Sequence, residues 1–91
     1  MAIRSLIKGA EAACGTDAAG ASTFGNATVV RLVNDSTTNR LVTVIDSVGG
    51  STTIGSFTLV GGSVEHVEKQ SAHAIYAANA AVKGCKVGYS Q

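Results

Sequence analysis

From residue 24 onward the chain alternates short runs rich in β-branched residues with clusters of turn formers, a rhythm that points to strands throughout. "FGNATVVRLVN" and "RLVTVID" flank the polar cluster "NDSTTN", and the pair reads as a hairpin with a loop of four to six residues. Thr28, Val30 and Leu32 fall on one face of the first run, with Val29, Arg31 and Val33 on the other. "SVGGS" breaks the chain and "TTIGSFTLV" resumes it. The glycine pair at 61–62 reads as a tight turn into a returning strand, "SVEHVEKQ". "AIYAA", a short "NAAV" turn and "KGCKVGYS" close the chain. Short strands at regular spacing predict an all-β fold: a small antiparallel β-sandwich or barrel of about six or seven strands.

The first 23 residues differ in kind. Twelve of the fifteen residues in "GAEAACGTDAAGAST" (9–23) are Ala, Gly, Ser or Thr, which offer little surface to bury. Ahead of them, Ile3, Leu6, Ile7, Ala10 and Cys14 follow helical spacing, while Ile3, Ser5 and Ile7 follow strand alternation. The short apolar run and Gly9 favour an extended conformation. The expected organisation is an N-terminal arm and small-residue linker over 1–23 and a β-sandwich domain over 24–91.

Ninety-one residues make one small domain, and its apolar stock is lean: 11 Val, 5 Ile, 4 Leu and 2 Phe, with no Trp. Cores of this size often gain stability from a partner. The net charge is +1 and the seven basic residues are scattered, so the basic patch of a nucleic-acid-binding surface is missing. No apolar run approaches the length of about 18 residues needed to span a bilayer, and "MAIRSLIKGAEAACG" lacks the continuous apolar stretch of a signal peptide. The expectation is a protein made in the cytoplasm and kept there unless something carries it out. Cys14 and Cys85 have no metal-site or redox-motif spacing and read as reduced structural thiols.

"GSVEHVEKQSAHAIYA" gathers both histidines and two of the three glutamates. On a strand, Val64, His66 and Glu68 share one face and Glu65, Val67 and Lys69 the other, so His66 and Glu65 diverge. His66 and Glu68 share a face at roughly 6.5–7 Å, too far to pair without bending. Zinc sites want three or four convergent ligands with recognisable spacing, and none is present. No nucleophile elbow or phosphate-cradling loop appears either. The segment reads as a half-exposed polar strand, with Lys69 guarding an edge. Catalytic residues, a metal and a cofactor are not expected. Phe24, Phe57, Tyr76 and Tyr89 read as core.

The strand order is familiar in one respect. "IRSLIKGA", the small-residue linker, "ATVVRLVND", "TIGSFTLVGGSVEHVEKQ" and the closing "AIYAANAAVKGCKVGYSQ" together resemble small all-β virion proteins of tailed bacteriophages, especially cyanophages. The resemblance covers most of residues 1–8 and 24–91. It implies a non-enzymatic virion structural protein, most readily a capsid decoration or cement protein on the capsid surface, present in many copies. Its partners would be the major capsid protein or other virion proteins, with self-association a further option; nucleic acid, membrane and small-molecule substrates are not implied. Contacts are expected from Ile3, Leu6 and Ile7 in the arm and from Asp35, Ser36, Thr37, Thr38 and Asn39 at a loop tip. The alternatives are a tail or neck component, or a glycan-binding β module using the hydrogen-bonding loops "NDSTTN" and "SVGGST".

Overall fold

The structure is a computed structural model that describes the backbone of residues 4–90 and the side chains of residues 6–88. Its strands are β1 (Arg4–Ile7), β2 (Ala12–Ala13), β3 (Val29–Asn34), β4 (Arg40–Ile45), β5 (Thr53–Leu59), β6 (Val64–Glu68), β7 (Ala74–Ala77) and β8 (Val82–Ser90). They form two antiparallel sheets. In the first, β8 is central: β1 and β2 pair with successive parts of one edge, and β3 then β6 lie on the other. The second has the order β5-β4-β7. The all-β expectation holds.

Alternation explains the core. Val30 and Leu32 on β3 and Val82 on β8 face Val42 and Val44 on β4, Leu59 on β5, and Ile75 and Ala77 on β7. Phe24 and Cys14 fill the same layer, with Phe57 and Val67 packed at its margin. Gly84 makes room for the ring: a Cβ there would lie 2.8 Å from Leu32 Cδ2 and 2.9 Å from Phe24 Cζ. β4 is buried on both faces, because Ile45 on its outer side packs with Ala74, Ala21, Ala18 and Tyr76.

Both expected hairpins resolve differently. β3 and β4 belong to different sheets, as do β5 and β6, so "NDSTTN" and the glycine pair are arches between layers. Period-two alternation reports which side of a strand is apolar but not which strand lies beside it. β4, apolar on both sides, takes the centre of its own sheet, and β3 then meets it face to face. The chain turns at Asn34, which is fully buried: Nδ2 donates to the carbonyls of Thr38 and Leu59, both at 2.8 Å, and Oδ1 accepts from Ser36 Oγ at 2.6 Å. The second arch packs against the first, with the Gly62 N–H donating to the Asn34 carbonyl and the Gly61 N–H to Asn39 Oδ1.

The small-residue segment lies on the sandwich. Cys14 and Ala21 are buried, and residues 15 and 22 bridge to β7 through Ala77 N–H to Gly15 O and reciprocal bonds between Ser22 and Ile75. Small side chains suit this position because they let the backbone approach the free edge of β7. The segment thereby closes an edge of the second sheet.

Candidate protein-interaction surface

The expected contact residues form two patches. Leu6 and Ile7 sit on β1, which pairs with the far end of β8 through Ile7–Val87 and Leu6–Gly88. They are 49% and 59% exposed. Neighbouring strand residues point to opposite faces, so β1 is open to solvent on both. The 35–39 arch adjoins the start of β8, where the Asp35 N–H donates to the Ala81 carbonyl. With Asn34 opposite Val82, the two patches are about 16 Å apart along β8. Ile3 lies outside the described residues.

Within the arch, Ser36 and Asn39 serve the fold through bonds to Asn34 and Gly61. Asp35 meets Lys83 at 3.5 Å, an exposed ion pair of little energetic weight. Thr37 and Thr38 stand exposed at the tip.

The His/Glu segment takes the predicted alternation. Glu65 and Val67 stand opposite Leu32 and Val30 on the inner face, and His66 stands opposite Arg31 on the outer. No group of three or more His, Cys, Asp or Glu side chains suited to a metal comes together among the described residues. Lys69 is no edge guard. It is 8% exposed, and Nζ donates to the carbonyls of Ala27 at 2.6 Å, Ser71 at 3.3 Å and Gln70 at 3.4 Å. Burial pulls its pKa below the usual lysine value. The ammonium thus clasps the turn after β6 to the chain entering β3. The four-carbon stem lets a cation reach inward, which strand alternation alone does not reveal.

The two thiols are free and buried on opposite faces of the first sheet. Cys14 joins the core, where burial pushes its pKa up to about 11, so it stays protonated at neutral pH. Cys85 faces outward from β8, directly opposite Arg31 on β3. Arg31 reaches across β8 to Glu11, Nη1 to Oε2 at 3.6 Å, and so passes over Cys85.

Sequence reasoning missed the exposed apolar residues on the other side of the molecule. Leu41 is 50% exposed, and Ile54 54%. Ile54 lines a shallow cleft with Thr28, Glu68, Lys69, Gln70 and His73, and Phe57 lines a second with Glu65, His66 and Val67. The signal available was the absence of charge from residues 50–60.

Compared with known protein families, curated proteins and solved structures, the chain matches none.

Proposed function

We propose that the protein is a non-enzymatic virion structural protein of the capsid-decoration type, docking on the assembled shell through β1. The single observation that carries the reading is the pair Leu6 and Ile7, large apolar side chains half exposed on an edge strand open on both faces. Covering the exposed half of each would contribute about 0.8–1.5 kcal/mol, a weak site that linked copies or further contacts would strengthen. The resemblance in strand order to small phage virion proteins supports the same reading, as does a lean core that gains stability from a neighbour.

The test is co-sedimentation of the purified protein with empty phage heads and, separately, with tails. Point substitutions are better than an N-terminal deletion, because removing residues 1–15 would also take β2 and the buried Cys14. Wild type is expected to pellet with heads, and the double variant Leu6→Asp, Ile7→Asp to bind at least about tenfold more weakly. Pelleting with tails alone would move the protein to the tail or neck. Failure to pellet with either particle would overturn the reading.

A further inference from the structure

We propose that β5 is a self-association edge, at which a second copy adds its own β5 antiparallel to form a continuous six-stranded sheet across a two-fold axis. The inference goes beyond the capsid reading and does not rest on it, because β5 lines clefts with β6, at the end of the first sheet's strand order away from β1.

Sheet edges invite pairing, and natural folds blunt them with charge, proline, bulges or a covering segment. The edge of β6 carries Glu65, His66 and Glu68. The edge of β7 is closed by the bridges from Gly15 and Ser22. β5, "TIGSFTL", has neither charge nor proline, and its side away from β4 has no partner among the described strands. Its bulge sits at Ile54, near the start, which leaves Gly55–Leu59 regular.

Gly55 is the second observation. Glycine weakens a strand interior and marks a bulge, a bend or the close approach of another chain. Gly55 lacks the positive φ that would require glycine, and a Cβ there would meet nothing within 4 Å. The bulge at Ile54 adjoins it, yet neither its φ nor its surroundings within one copy exclude a side chain.

The occupant follows from self-complementarity. With the two-fold near Ser56, Gly55 of each copy faces Phe57 of the other within the regular stretch. Small residues thus oppose large ones and no like charges meet. An aromatic ring over a cross-strand glycine fills the gap the glycine leaves. Phe57, only half-buried in one copy, would be covered.

The test uses three proteins. Wild type at about 100 µM is expected to show twice the chain mass by size exclusion with light scattering. Thr58→Lys places a cation on the exposed edge and is expected to give the single-chain mass with an unchanged far-UV spectrum. Ser56→Cys is expected to form a disulfide-linked dimer on mild oxidation, since Cα atoms facing across an antiparallel pair lie within bridging range, whereas Thr38→Cys is not. A wild-type monomer at that concentration would overturn the proposal. So would a folded Thr58→Lys protein that keeps the doubled mass, or cross-linking at residue 38 rather than 56. Should Thr58→Lys misfold, the Ser56→Cys cross-link decides.

Discussion

The Asn34 side-chain amide donates to the Leu59 carbonyl at 2.8 Å and so fastens the end of β3 in one sheet to the end of β5 in the other. The same nitrogen reaches the Thr38 carbonyl, and Oδ1 takes the Ser36 hydroxyl, so one fully buried amide organises the corner where two arches meet. Asn34→Ala removes these bonds and is expected to cost about 1–3 kcal/mol. Asn34→Asp should cost more at neutral pH, because a carboxylate has no donor for the carbonyls it would face. Its folded pKa would be raised above the unfolded value, so its deficit should shrink as pH falls towards about 4. Urea unfolding of both variants at the two pH values checks this. A deficit for Asn34→Asp that grows on acidification would show that the corner is not acceptor-rich.

Gly84 is the point at which β8 gives way to a side chain. A methyl group there would collide with Leu32 and the Phe24 ring. Gly84→Ala is expected to lower stability by about 1–3 kcal/mol through overpacking, although alanine suits a strand better than glycine. The urea midpoint should fall with an unchanged slope. A stabilised variant would mean that the ring can move aside.

The Phe24 ring is delivered by an unusual turn. Phe24, Gly25 and Asn26 have φ of 51°, 67° and 56°, three successive left-handed residues closed by the Ala27 N–H donating to the Thr23 carbonyl. Left-handed backbone costs a side-chain-bearing residue roughly 1–2 kcal/mol, least for asparagine. Burial of the Phe24 ring offsets this at Phe24. Asn26 is exposed, so it isolates the backbone term. Asn26→Ala should lower the melting temperature by about 4–8 °C, and Asn26→Gly should leave it unchanged or raise it. Equal losses in both variants would assign the effect to the asparagine side chain instead.

Strand positions and faces were largely legible in the sequence, because alternation in "TVVRLVN" and "SVEHVEKQ" is set by burial on one side. Partner choice was not. The local order β3–loop–β4 suits a hairpin and an arch equally, and the choice rests on Asn34 and on β4 being buried on both faces, which appear only in three dimensions. Residues 9–23 were legible in part: poverty in large side chains pointed to a loop or arm ordered against something larger, and Gly15, Ala21 and Ser22 use that smallness to lie against β7, a partner the sequence did not name. At the candidate surface, Leu6 and Ile7 were legible as apolar residues outside the main pattern. The β5 edge was not, because its signal is a missing charge.

Lys69 gives the alkaline stability profile a distinctive sign. Its folded pKa lies below the ordinary 10.5 because burial disfavours the ammonium, so the unfolded chain binds more protons between the two values. Across that window its contribution to stability rises with pH. The stability difference between wild type and Lys69→Met should therefore shift in favour of wild type as pH is raised towards 10.5. Chemical unfolding across that range measures it. A shift the other way would mean that the Ala27, Gln70 and Ser71 carbonyls raise the pKa above its unfolded value.

The thiols separate the two faces of the first sheet. With Cys14 in the core at a pKa near 11, its stability contribution is intact below the ordinary 9.0 and fades as pH rises between those values. At neutral pH a disulfide reagent should label it only as fast as the molecule opens. Cys85 is shielded differently, by the Arg31 side chain crossing β8 to Glu11. The ion pair itself is half exposed and adds little stability, so Arg31→Ala should leave the unfolding midpoint close to wild type. It should nonetheless raise the labelling rate of Cys85 severalfold while Cys14 stays protected. Mass spectrometry of the labelled peptides reads the two sites apart. Equal acceleration at both would mean that Arg31→Ala loosens the whole sandwich rather than lifting a cover from one residue.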